Sequence, residues 1–177
     1  FEVNVMLEVY EDDFREAVSD IVSNEHFRQL ENEVHHGTTR YAHSMRVAEY
    51  SYKFARFFGM KNAKELSRAG LLHDFFTVGE LPDAVSIGST MLFTHPKKAL
   101  ENSLKYYELD DVQKNIIRSH MFPVNPTSIP KSREAWLVSG VDKLIGTYEL
   151  FRFMIFGRFT GERRVKKAEV SAEGKCF

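Results

Sequence analysis

The chain has 177 residues, 43% hydrophobic and 28% charged, with a formal net charge of −1 and a single cysteine, Cys176, next to its C-terminal residue. That length and composition suit one soluble globular domain with its own hydrophobic core. They exclude an internal disulfide framework and any global field that would draw the protein to nucleic acid or to an anionic membrane. The most apolar run, Leu150 to Phe159, is interrupted by Arg152 and Arg158 and is too short to span a bilayer. No secretory signal is visible, so a cytoplasmic, reducing setting is expected.

Helical periodicity dominates from the N-terminus onward. Phe14, Ala17, Val18, Ile21 and Val22 recur at three- and four-residue steps and predict a first amphipathic helix over about residues 11–31. Val3 to Val9 alternates weakly, as a frayed strand or as part of that helix. His35-His36-Gly37-Thr38-Thr39 breaks the pattern, and either threonine can cap the next helix. That second helix is predicted over about 39–58, with Tyr41, Met45, Ala48, Tyr52 and Ala55 on one stripe and Gly59 closing it. His43 shares a neighbouring face with Val47, Tyr50 and Phe54, which points its side chain inward. A third helix, about 61–75, becomes strongly apolar just before His73-Asp74.

Residues 76–94 carry the breakers Gly79, Pro82 and Gly88 and are expected to form a functional loop. Thr94-His95-Pro96 suggests a helix start with Pro96 at the first helical position, running to about Tyr107. Another helix is predicted over about 109–120, ending at His120. A loop with Pro123, Pro126 and Pro130 comes next, and then a long helix over about 132–156 that carries Asp142. No convincing strand, internal repeat or low-complexity linker is present. The expected architecture is all-α: one helical bundle of about six helices over residues 1–157, with a polar, locally basic tail over 158–177.

His73-Asp74 is the most informative pair in the chain. Two polar side chains stand where an apolar helix enters the core, and buried polar groups are costly unless something satisfies them. The pair belongs to an ordered series: His43, His73, Asp74, His95, His120 and Asp142. Taken singly, each histidine would pass for an ordinary core or surface residue. Together they form a set of nitrogen and oxygen donors without thiolate, suited to Fe, Mn, Zn, Co or Ni rather than Ca. Neighbouring helix positions diverge by about 100°, so His73 and Asp74 can straddle a site. His26 has no such pattern and is expected at the surface. Phe54, Phe57, Phe58, Phe75, Phe76 and Phe93 are expected mostly in the core, with the last three also able to wall a pocket.

These residues resemble the HD-domain superfamily of metal-dependent phosphohydrolases. The resemblance covers roughly residues 35–145. It rests on Arg40-Tyr41-Ala42-His43, Ala69-Gly70-Leu71-Leu72-His73-Asp74, His95-Pro96, Ile116-Ile117-Arg118-Ser119-His120 and Val141-Asp142-Lys143. The four-residue signature of that superfamily maps to His43, His73, Asp74 and Asp142, and the binuclear members add histidines that match His95 and His120. The resemblance implies two divalent cations bridged by Asp74, with His43, His73 and Asp142 on one side and His95 and His120 on the other. It implies attack of a metal-bound hydroxide on a phosphoester or phosphoanhydride, and a small phosphorylated substrate such as a nucleotide, because dinucleoside-tetraphosphate hydrolases of similar size share the Arg-Tyr-x-His opening. An HD-fold diiron oxygenase or a non-catalytic nucleotide-sensing module would fit the same ligands. A homo-oligomer is compatible with the sequence.

One departure matters. Many HD enzymes follow the His-Asp pair with a small or aliphatic residue, a glycine and a phosphate-directed lysine. Phe75-Phe76-Thr77 occupies that stretch here. The cation for phosphate is therefore expected from Arg40, Arg46, Arg118 or Lys143, with His36 as a further substrate-binding candidate. Asp74, Arg40 and Lys143 are the expected catalytic residues. The Gly-Tyr-Pro segment of the cyclic-di-GMP-degrading members is absent, which disfavours that substrate.

Overall fold

The computed structural model describes residues 2–35, 37–81 and 89–156, and seven α-helices with one two-stranded ladder make up most of those segments. α1 spans Glu2–Val22, α2 Glu25–Arg28, α3 Arg40–Phe57, α4 Ala63–Leu72, α5 Ser89–Tyr106, α6 Asp111–Ser119 and α7 Arg133–Phe156. α3 lies against α4 and α7, α4 also against α1 and α6, and α6 against α5 and α7. The fold is all-α, as expected. None of the described helices is long and apolar enough to cross a membrane.

The core follows the periodicity of the sequence. Phe14, Val18 and Ile21 of α1, Val47, Ala48, Tyr52 and Ala55 of α3, and Leu66, Ala69, Leu71 and Leu72 of α4 are buried in one cluster with Ile116, Ile117, Val138 and Val141. Each fully buried aliphatic side chain contributes about 1.5–3 kcal/mol by leaving water. α3 is bounded by local chemistry. The Thr39 side chain accepts from the Ala42 amide at its start, and Gly59 closes its end at φ +66°. Asp110 and Gln113 form a reciprocal capping box on α6.

Several boundaries differ from expectation, each for a local reason. The first helix is not continuous over 11–31. It begins at Glu2, taking in Val3–Val9, and stops at Val22 because the Asn24 side chain caps a new one-turn helix, α2, through the His26 and Phe27 amides. A 3-10 turn, Gln29–Asn32, comes after it. Strand pairing, not expected, occurs over a two-residue ladder. β1 (Val34–His35) pairs antiparallel with β2 (Thr38–Thr39), which aims the chain into α3. Gly37 in the connecting turn has φ +83°, and a side chain there would overlap the Phe153 ring of α7.

α5 starts at Ser89, so Pro96 lies inside the helix rather than in its first turn. A proline there removes one hydrogen bond and opens the preceding turn, which a helix can tolerate locally. Phe75 and Phe76 are buried, whereas Phe54, Phe57, Phe58 and Phe93 are exposed rather than in the core. Tyr50 is exposed as well, so the face that carries His43 points inward only over its first turns. Residues 82–88 of the expected loop, and the tail over 158–177, lie outside the described residues.

Candidate metal centre

His43, His73, Asp74, His95, His120 and Asp142 converge from α3, the end of α4, α5, the end of α6 and α7, and all six are buried. Donor atoms fall into three overlapping groups whose members lie within 4.8 Å of one another: His43, His73 and Asp74; His73, His120 and Asp142; Asp74, His95 and His120. Asp74 belongs to the first and the third. Its Oδ2 lies 3.9 Å from His73 Nε2, while its Oδ1 lies 3.4 Å from His95 Nε2 and 3.7 Å from His120 Nε2.

The helix ends orient the imidazoles. α4 stops at Leu72 and α6 at Ser119, where the last-turn carbonyls run short of intrahelical amide partners. His73 and His120, the residues just beyond, use them: His73 Nδ1 donates to Gly70 O at 2.7 Å, and His120 Nδ1 donates to Ile117 O at 2.8 Å. In the turn that Pro96 opens, His95 Nδ1 donates to Met91 O at 2.8 Å. A carbonyl only accepts, so each Nδ1 carries the proton and each Nε2 presents a lone pair to the centre. The negative ends of the α4 and α6 dipoles favour positive charge at the same place.

His43 is held differently. Its Nδ1 donates to Glu149 Oε2 at 2.8 Å and its Nε2 faces Asp142 Oδ1 at 3.1 Å. Arg46 secures the other oxygen of Glu149 at 2.5 Å and reaches Thr38 Oγ1 at 3.3 Å. Burial alone would push His43 down, but the carboxylates of Asp142 and Glu149 outweigh it and raise the imidazole to about 9. The opposite holds at His120, which burial and the neighbouring histidines His73 and His95 push down to about 3. Burial also lowers His95. Asp74 and Asp142 are opposed by burial yet held well below the usual carboxylate range. The surrounding histidines and Arg40 do this for Asp74; the hydrogen bond from His43 does it for Asp142, with the neighbouring His73 and Lys143 adding to it.

These donors fit a cation better than they fit one another. His95 Nε2 and His120 Nε2 lie 2.9 Å apart with both Nδ1 protons already committed, so two lone pairs face each other. Among the described residues, buried His73 Nε2 and Asp74 Oδ1 have no hydrogen-bond partner. Buried polar atoms are rarely left so, and divalent cations would satisfy all four atoms. An HD-domain family model matches residues 40–146, more than half of the chain. The chain belongs to the HD-domain family. Members of this family are mostly metal-dependent phosphohydrolases. No curated protein and no solved structure matches the chain.

Of the other residues singled out in the sequence of this HD domain, Arg40 and Lys143 adjoin the six donors. Arg40 is buried, donates to Phe76 O at 2.9 Å and lies 3.8 Å over the Phe76 ring, which itself stacks on His95. Its Nε has no partner among the described residues. Lys143 donates to Asp142 Oδ2 at 2.8 Å and to His120 O at 2.5 Å, bracing one ligand and the backbone of another. Arg118 is exposed in the last turn of α6, and Arg46 is engaged by Glu149. His36 lies outside the described residues. Glu149, the carboxylate behind His43, is a residue that the sequence reading misses, although a signal for it exists. It falls seven residues after Asp142, two helical turns along the same face, as the one carboxylate between Asp142 and the end of α7.

Proposed function

We propose that this HD-domain protein hydrolyses a phosphoester or phosphoanhydride of a small phosphorylated substrate, with a nucleotide as the leading candidate, using two divalent cations. The observation that supports this most directly is the convergence of four histidine Nε2 atoms and two carboxylates, with every Nδ1 already held from behind. His43, His73 and Asp142 would hold one ion, His95 and His120 the other, and Asp74, with an oxygen toward each side, would be shared. When bound, two such ions supply a water of lowered pKa and positive charge against phosphate oxygens.

The protein's own groups set the conditions for that chemistry. Buried helix ends fix the imidazole lone pairs before substrate arrives, so little reorganisation is needed. Asp74 and Asp142, both held ionised, balance the cations. Lys143 keeps Asp142 turned toward the centre. Arg40, sandwiched against Phe76 beside the Asp74 end, is the best-placed buried cation for a substrate phosphate; Lys143 is a second candidate, and Arg118 and His36 are weaker ones.

The test is turnover of a panel of nucleotides and phosphoesters by protein loaded in turn with Mn, Fe, Zn and Co, with metal content measured on the same samples. Release of a phosphorylated product that needs the metal and disappears in Asp74→Ala is the expected outcome. No turnover of any member at full metal occupancy would remove the proposal, and dioxygen consumption with a mixed-valent iron signal would replace it with oxygenase chemistry.

A further inference from the structure

α7 uses its inner side completely. Val138, Val141, Asp142 and Glu149 are buried along it, facing α3, α4 and α6. The outer side of its C-terminal half is also apolar, yet it is exposed: Leu144 by 69%, Tyr148 by 58%, Phe151 by 61% and Ile155 by 38%. Steps of four, three and four residues put these side chains on one stripe, the spacing of a helix–helix seam. Met154 lies at its edge, and Trp136 extends it two turns toward the N-terminus of α7. The charged residues between positions 144 and 156 are Glu149, turned inward, and Arg152, at the margin of the stripe. A helix that is apolar on both sides is one that is covered on both sides.

Three considerations identify the cover. Leu144, Tyr148, Phe151, Met154 and Ile155 together offer roughly 600 Å² of surface, so two such faces would bury about 1,200 Å², at the lower end of the range of a stable interface. The face carries no charge at its centre, so a copy of itself meets no like-charge repulsion, as a two-fold contact requires. Residues 158–177 of the same chain are a poor match, because Arg158, Arg163, Arg164, Lys166 and Lys167 crowd the stretch nearest to α7. We propose that the outer face of α7 is the contact surface for a second copy of this chain, forming a symmetric dimer. The proposal does not depend on the reaction. It would, however, clamp between two copies the helix that carries Asp142, Lys143 and Glu149.

The test is the mass of the full chain by sedimentation velocity and light scattering over a concentration series. The expected species is a dimer, twice 20.5 kDa. Leu144→Asp and Phe151→Asp should each return it to 20.5 kDa. The milder double variant Leu144→Ala/Phe151→Ala should weaken the dimer by roughly tenfold or more while keeping the helical circular dichroism of the parent. A wild-type protein that stays at 20.5 kDa up to ~100 µM would overturn the proposal. So would a dimer that all three variants retain, since its interface would lie elsewhere. Monomeric protein that binds phosphatidylserine vesicles through this stripe would also overturn it, assigning the face to a lipid surface.

Discussion

The two ends of the candidate metal centre are built on different principles. At the end formed by His95 and His120, the supports are main-chain carbonyls, the imidazoles are lowered by burial, and lone pairs crowd an ionised Asp74. At the His43 end, the support is a side chain, Glu149, itself held by Arg46, and the imidazole is raised to about 9. The first end needs a cation to be satisfied. The second can satisfy itself with a proton until a cation displaces it. A centre assembled this way is expected to bind metal with proton release at one end only.

The largest effect should come from the residue common to both ends. Asp74→Ala is expected to abolish bound metal, measured by elemental analysis, and to lower turnover by roughly a thousandfold or more. Retention of two ions by this variant would break the idea that Asp74 is shared. His120→Ala should next separate the ends: one ion lost, the other kept, and Nε2 crowding at His95 relieved. If both ions disappear together, the two ends are not independent.

Glu149→Gln sharpens the comparison further. It keeps the shape but weakens the acceptor behind His43, so metal affinity at that end should fall by about 10–100-fold, measured with a competing chelator. No corresponding side-chain substitution exists for the carbonyl-backed histidines. An unchanged affinity would make Glu149 a packing residue only.

The metal-free protein should show opposite pH trends at the two ends. His43 is raised above its usual 6.5, so its contribution is complete below 6.5 and is lost as pH rises through about 9. His120 is lowered, so the folded state loses ground as pH falls from 6.5 toward about 3. Thermal unfolding of stripped protein should therefore peak near neutrality, and His43→Gln should flatten the alkaline side, where the wild type drops by roughly 5–10 °C. A wild-type melting temperature constant from about pH 6.5 to about 9.5 would contradict the raised His43. Arg118→Ala is expected to produce the smallest change, within about twofold of wild-type turnover, since substitutions of exposed surface side chains are usually mild. A tenfold loss would make Arg118 a substrate contact after all.

The order of the donors was legible because metal-binding side chains in an apolar helical context are conspicuous. His73-Asp74 interrupts a buried run, and no local propensity explains it. Helix existence was equally legible from the spacing of Phe14, Val18 and Ile21, or of Ala48, Tyr52 and Ala55. Boundaries were less so. The Asn24 cap and the place of Pro96 inside α5 are small local preferences that neighbouring contacts decide. Glu149 stayed hidden because its partner His43 is 106 positions away, and a carboxylate's role depends on what it meets.

The amino-acid series by itself determined the helical class, the family and the six residues proposed as donors, because periodicity and residue chemistry are local properties. Tertiary structure alone decided which nitrogen of each histidine faces the centre, that Arg46 serves Glu149, and that one side of α7 is left apolar and open. Those are matters of distance between residues far apart in the chain, and no linear pattern encodes a distance.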